Sequence, residues 1–454
     1  MNSWSARHLI YFPALALRGE RVKALINEVK AFNGLKAPEI EKRQWDKITS
    51  LLHYVYDHNP YYRTLFDRHD LKPADISTPE AFRRIPYLTK RVIQTENDRL
   101  RSRDRWRVSS RKTSGSTGMP IRFVKDHRAT AYMNAVMHEV YNWHGIEIGD
   151  RLGRIWGMSL DFRYRLTAHL RDFLLNRKTM TSFNISENTC RRFFNTLKKF
   201  KPKYLYGLPC GIAEFTRTLQ NIDLDPAAVG LELILCTGET LTTSRKEFLQ
   251  KAYRCPVLNE YGATECGIIA FPCPQNKLHL MSSNLYVEII NPDTGRSTEP
   301  GESGEVVLTE LNSYAMPFIR YRLGDMVVAE NNRCSCGLEL PVISRVQGRV
   351  GEIILTPDNK KVALVVLDRV MEKYVQRFKA FQRAIDRLEV MIEKYPGYKP
   401  EQAENMKADL KLFLGDKMRI DFSLTDRIPP DPSGKLRCFI SDIIEDTEKI
   451  QEEF

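Results

Sequence analysis

The sequence has no apolar run long enough to cross a bilayer. Its most apolar early stretch, "LIYFPALAL" from Leu9 to Leu17, is too short and is broken by Pro13. That stretch also lacks the basic start and small-residue cleavage site of a secretory signal. Cysteine is sparse and odd in number, nine in 454 residues, which excludes a disulfide scaffold. Reduced thiols in a cytoplasmic protein, some of them on metal, are the expectation. There is no internal repeat and no low-complexity tract. No nucleic-acid motif with interleaved aromatics accompanies the basic run "RSRDRWRVSSRK" at residues 101–112. Acidic residues are in the minority, 57 against 69 Lys and Arg, so the formal charge is +12 and the fitting partners are anions.

The length predicts two or three domains. Residues 17–112 read mostly as helix, with Pro60, Pro73, Pro79 and Pro86 as punctuation. Helical and strand-like segments then alternate: "RATAYMNAVMHEVYNWHG", "YLYG", "LELILCTGET", "SRKEFLQKAY" and "VLNEYGATE". This alternation predicts an α/β sheet with ligands at the carboxyl ends of its strands. A β-rich subdomain follows, carried by "LYVEII", "EVVLTEL" and "FIRYRLGDMVV". "GRVGEIIL" reads as a joint, and a smaller α+β unit lies beyond it. The expected division is a large domain over 1–347, a hinge over 348–352 and a small domain over 353–454. In the small domain, "VLDRVMEKYVQRFKAF" and "AIDRLEVMIEKY" read as helices, making a helical insert between residues 364 and 413.

The stretch "TSGSTGMPIRF" brings together Thr113, Ser114, Gly115, Ser116, Thr117 and Gly118. Its glycines let backbone N–H groups turn toward one anion, and its hydroxyls add donors. It lacks the Gly-Lys-Ser/Thr ending of a P-loop. Alone it is an ordinary turn. Four further motifs follow in order: "EYGATE" (260–265), "RYRLGD" (320–325), "GR" (348–349) and "PSGKLR" (432–437).

Loop, Tyr-Gly-x-Thr-Glu, Arg-Tyr-Arg-x-Gly-Asp, Gly-Arg and Ser-Gly-Lys, in that order, resemble the adenylate-forming superfamily. Within it the chain is most similar to the phenylacetate–CoA ligases and the CapK-type proteins of polysaccharide gene clusters. The resemblance implies that ATP activates a small carboxylic acid as an acyl-adenylate, releasing pyrophosphate. A thiol, usually that of CoA, then takes the acyl group. It leaves open another thiol, an amine or a carrier protein as acceptor, and also a non-catalytic relative, which would be expected to lose the lysine or the glutamate.

The resemblance also implies roles. Lys435 would be the catalytic lysine of the small domain, a compact ammonium that meets charge developing at the α-phosphate. Glu265 would hold Mg²⁺. Asp325 would accept the ribose hydroxyls, and Arg349 would hold ribose or phosphate. Tyr261, with Gly262 and Thr264 beside it, would flank adenine, against which Gly238 and Glu239 pack. Glu352 would lie at the hinge, where the family often has an aspartate pair. Tyr206, Gly207 and Pro209 would border the acid pocket, with Trp143, His144 and Trp156 as further candidates. Cys273, His279, Cys334 and Cys336 form a Cys₃His set suited to structural Zn²⁺, with Cys266 as a rival ligand. The family's loop often carries a lysine where this chain has Ile121, so Arg122 or the basic run would supply the missing charge.

Overall fold

The computed structural model describes residues 2–104, 106–113, 120–157, 170–183, 185–330, 334–349, 353–371, 373–375, 377–393, 398–399, 401–426, 428 and 438–443. Its helical N-terminal region is built as the prolines dictate. Pro60 and Pro79 each open a helix, at Pro60–Arg68 and Pro79–Arg83, where a missing N–H removes no bond. Asn59 and Thr78 cap those two helices through their side-chain oxygens. Leu9–Leu17 is not broken by Pro13. A π-type turn over Ala6–Tyr11 feeds the α-helix Phe12–Leu17, so the proline falls in the first turn of the α segment.

A hairpin of β1 (Val108–Lys112) and β2 (Arg122–Asp126) comes next. β3 (Leu152–Trp156), β4 (Arg177–Thr181), β5 (Tyr204–Gly207), β6 (Leu233–Thr237) and β7 (Val257–Ala263) are parallel neighbours. From β7 onward the pairing is antiparallel, through β8 (Gly267–Pro272), β9 (Leu278–Leu280), β10 (Leu285–Ile290), β11 (Ser303–Glu310), β12 (Tyr321–Glu330) and β13 (Val342–Arg349). Among the described residues these form one sheet in the order β10-β11-β12-β13-β9-β8-β7-β6-β5-β3-β4. β6 is buried along its whole length, the mark of a strand covered on both faces. One core joins the N-terminal helices to the antiparallel half, with Ile48, Leu51 and Phe66 packed among Ile269, Leu308, Phe318 and Tyr321.

The small domain holds β14 (Ile353–Leu355), β15 (Lys361–Ala363), β16 (Arg377–Ala384), β17 (Arg387–Glu393), β18 (Arg419–Thr425) and β19 (Phe439–Ser441). The helical expectation holds only for Leu364–Met371 and Glu401–Leu414. The two segments between them form an antiparallel hairpin, so the insert is helix, strand, strand, helix. The physical reason is their period. Phe378, Ala380 and Gln382 alternate inward on β16, as do Leu388, Val390 and Ile392 on β17. Spacings of three and four in the same letters are incidental to that alternation.

A buried ion pair clamps the β1–β2 hairpin to the sheet. Lys125 is fully buried and bonds to Glu310 of β11, which is 2% exposed. The Lys125 ammonium also lies 4.6 Å from the Phe318 ring centre. The adjacent Asp126 accepts N–H bonds from Ala129, Tyr314 and Ala315 at 2.7–3.1 Å. Removing one partner of such a pair strands the other charge in the core. Lys125→Met is therefore expected to cost about 3–5 kcal/mol in urea unfolding, with the Lys125→Met/Glu310→Leu double variant recovering most of the loss. A single variant as stable as the parent would show that the pair is dispensable.

Candidate active site

The site lies where the parallel half of the sheet meets the antiparallel half. β7 is the shared strand, and its stretch "NEY" projects consecutive side chains to opposite faces. Tyr261 is buried at 8% exposure, and its phenol donates to Asp325 Oδ2 at 2.9 Å. Asp325 on β12 pairs in register with Arg349 on β13, so "RYRLGD" and "GR" come side by side. The Arg349 side chain lies outside the described set. Glu265 follows β7 and is 5% exposed, and Tyr321 Oη donates to its Oε1 at 3.1 Å. Gly262 is required by packing: an added Cβ would lie 2.7 Å from the Gly267 carbonyl oxygen. Thr264 is exposed beside it.

The "RYR" of the same motif is architectural. Arg320 makes a two-pronged bond to Glu288, 3.0 Å on each arm, and reaches the Ile85 carbonyl at 2.6 Å. It thereby ties the N-terminal helical region to β10. Arg322 pairs with Glu305 on β11.

At the end of β6, Gly238 takes a positive φ of 75° and turns the chain. Glu239 Oε2 then accepts the Cys210 N–H at 3.2 Å, while its Oε1 is buried with no hydrogen-bond partner among the described residues. The small domain reaches this end of the sheet. Arg377 of β16 pairs with Glu214 on the helix Pro209–Asn221. Burial pushes the Cys438 thiol well above its ordinary range, helped by the charges of Asp368, Cys210 and Glu239. Cys438 follows Lys435 by three residues. Lys435 itself, Glu352 and the loop residues Ser114, Gly115, Ser116, Thr117 and Gly118 lie outside the described residues.

Thr113 closes the base of the β1–β2 hairpin: its N–H donates to the Ile121 carbonyl, and its hydroxyl accepts the Ile121 N–H, both at 3.0 Å. Ile121 is fully buried, which explains an aliphatic side chain in that place. The basic run before it is no uniform solvated face. Trp106 donates to the Tyr54 hydroxyl at 2.9 Å, and Arg111 bonds Thr130 at 3.2 Å, whereas Arg122 is exposed.

Of the pocket candidates, Tyr206 carries the most. Its phenol donates to Glu260 Oε1 at 2.9 Å, and Tyr141 donates to Oε2 at 2.8 Å. Burial raises the Glu260 carboxyl above its usual range, against the lowering effect of bonds from Tyr141, Thr237 and Tyr206. Trp156 stacks on Tyr206 at 5.6 Å. Gly207 and Pro209 serve packing: a Cβ at Gly207 would sit 2.3 Å from the Ile155 carbonyl oxygen, and Pro209 is buried as it opens its helix. Trp143 and His144 belong elsewhere, against Phe271 and the His279 region. Sequence reasoning missed Glu260 and Tyr141 as a pair. An acid inside the buried run "VLNEYG" was the available signal for the first.

Cys273, His279, Cys334 and Cys336 converge with their ligand atoms all within 4.8 Å of one another. Cys273 Sγ lies 3.6 Å from Cys334 Sγ, and Cys336 Sγ lies 3.4 Å from His279 Nε2. Tetrahedral zinc with bonds of about 2.0–2.3 Å needs donors spaced in this way. His279 is fully buried, and its Nδ1 bonds the Leu340 carbonyl at 3.1 Å, which aims Nε2 at the cluster. Cys266 is not among these four residues. The cluster joins the β8–β9 turn to the loop before β13.

No helix among the described residues is long and apolar enough to cross a membrane. Residues 113–313 match the AMP-binding enzyme family, and residues 354–442 match the CapK C-terminal domain. Protein CapK of Staphylococcus aureus is 22% identical over 416 residues, 88% of this chain and 89% of that one. A phenylacetate–coenzyme A ligase of Thermus thermophilus is 22% identical over 352 residues, 75% and 78% of the two chains. The structure of 2-hydroxyisobutyryl-CoA ligase in its postadenylation state has the same fold, with a TM-score of 0.75 at 18% identity, covering 93% of this chain and 94% of that one. The chain thus carries an AMP-binding enzyme domain over residues 113–313 and a CapK C-terminal domain over residues 354–442.

Proposed function

We propose that this enzyme joins a small carboxylic acid to ATP as an acyl-adenylate and passes the acyl group to a thiol, CoA first among the candidates. The observation that carries the reading is that Tyr261 holds Asp325 while Tyr321, four residues before Asp325 on β12, holds Glu265, with Tyr261, Glu265 and Glu239 inside the AMP-binding match over residues 113–313. Asp325, oriented by the Tyr261 phenol, suits the two ribose hydroxyls. Glu265 would hold the Mg²⁺ that offsets phosphate charge, and Lys435 would meet the charge that develops on the α-phosphate. Ser114–Gly118 would grip the phosphates through hydroxyls and backbone amides. The presence of both Lys435 and Glu265 favours a catalyst over a nucleotide-holding relative. The CapK domain favours a role in polysaccharide assembly, where the acceptor would be an amine or a carrier-borne thiol if it is not CoA.

The division at 348–352 fits a swinging small domain. Gly348 holds a φ of 116°, which L side chains rarely adopt, and the two family matches end and begin on either side of it. The Cys₃His cluster would hold a structural zinc, since all four donors are protein atoms and none is left for a substrate.

Three measurements test these assignments. Lys435→Ala should abolish acid-dependent pyrophosphate exchange while ATP binding and the unfolding curve stay as in the parent. Undiminished exchange by that variant would sink the lysine's role. Tyr261→Phe should raise the KM for ATP roughly tenfold, about the worth of one hydrogen bond to a charged acceptor, without moving the KM for the acid. An unchanged KM for ATP would remove Tyr261 from the ribose site. Protein purified without added zinc should carry about one equivalent, and Cys334→Ser/Cys336→Ser should lose it along with thermal stability. Less than about half an equivalent in the parent would count against the metal.

A further inference from the structure

β3 reads "LGRIW", and an arginine is out of place in a short strand inside a parallel sheet. Register places Arg154 beside Thr179 of β4 and Tyr206 of β5, so the three side chains share one face with Trp156, two residues on. This is the face on which Tyr206 bonds Glu260 near the end of β7, and Trp156 is the last residue of β3, so the face reaches the carboxyl ends of the strands.

Among the described residues, the half-buried Arg154 guanidinium has no hydrogen-bonded anion. Its Nε is buried and has no hydrogen-bond partner among the described residues, and neither has the buried hydroxyl of Thr179. The acid that acts on it, Asp172, is held by Arg177 at 2.5 Å. Glu260 is occupied by its two phenols. Burial, with repulsion from Arg177, lowers the guanidinium to about 10. A buried donor left unpaired costs about 1–3 kcal/mol, so the arrangement is incomplete without an acceptor. Trp156 covers one face of the guanidinium at 4.7 Å, which leaves the in-plane N–H edge for a ligand. A planar carboxylate matches that edge with two parallel bonds, and the Thr179 hydroxyl can add a third.

Resting on the acid-activating reading above, we infer that Arg154 and Thr179 form a subsite for a second carboxylate, so that the preferred substrate is an acid with an anionic group distal to the one that is adenylated. Trp156 and Tyr206 would pack against the carbon chain between the two ends. Arg154 would act in recognition, through binding and not through the bond-making step.

Pyrophosphate exchange with straight-chain dicarboxylates, each against the monocarboxylate of equal chain length, tests this in the parent, Arg154→Met and Arg154→Lys. The parent should favour the dicarboxylate in kcat/KM by at least about tenfold, mostly through KM. Arg154→Met should bring the two sets within about twofold by losing only the dicarboxylate, with Arg154→Lys between, because lysine keeps the charge but not the two-pronged geometry. If Arg154→Met does not fold, the parent's preference and Arg154→Lys decide. Equal use of both sets by the parent, or a preference untouched by losing the guanidinium, overturns the subsite and leaves acid activation standing. Exchange with neither set overturns acid activation and the subsite with it.

Discussion

Strand β7 must pair parallel on one side and antiparallel on the other, and the site depends on that constraint. Because successive side chains on a strand point to opposite faces, neighbouring residues of "NEYG" serve two sites. Glu260 receives the phenols of Tyr141 and Tyr206, while Tyr261 holds Asp325. Shifting the register by one residue would exchange the two faces and dissolve both arrangements.

The remaining polar contacts work as clamps on this junction. Lys125 with Glu310, and Asp126 with the amides of Tyr314 and Ala315, hold the hairpin that carries the hydroxyl-rich loop. Arg320 spans from Glu288 to the carbonyl of Ile85 and locks the N-terminal helices onto the sheet. Tyr321, the next residue, points instead at Glu265. One motif thus contributes an architectural arginine, a residue that positions a carboxylate and the carboxylate Asp325 itself. Isolated charges in the core are costly, and here each of these clamps is matched by an opposite charge or by several amides. Arg154 departs from that pattern, its buried Nε having no partner among the described residues.

Much was legible in the letters. The order of βα segments gave the parallel half of the sheet, and proline positions marked helix starts. Two of the motifs, "EYGATE" and "RYRLGD", contain the carboxylates Glu265 and Asp325 that two tyrosines hold. The cysteines and His279 announced a metal-type set from residue identity alone. Legibility ended where period was ambiguous. In "RFKAFQRA" the apolar letters fit a helix or a strand, and only the sheet formed with β17 and β19 makes alternation the lower free-energy choice. Likewise Ile121 looked like a missing charge in a loop but is a buried anchor beneath one.

By itself the sequence determined the chemistry available: carboxylates at turns after buried strands, a lysine on a late Ser-Gly-Lys segment, and thiols with an imidazole. These follow from residue type and local pattern, which one chain segment can encode. Tertiary structure decided the pairings, because they join residues far apart in sequence. It assigned Tyr261 to Asp325, Tyr321 to Glu265, Tyr141 and Tyr206 to Glu260, and left the Arg154 Nε without a partner among the described residues. A charge is costly or useful according to what lies across the sheet from it, and that neighbour is set only when the strands come together.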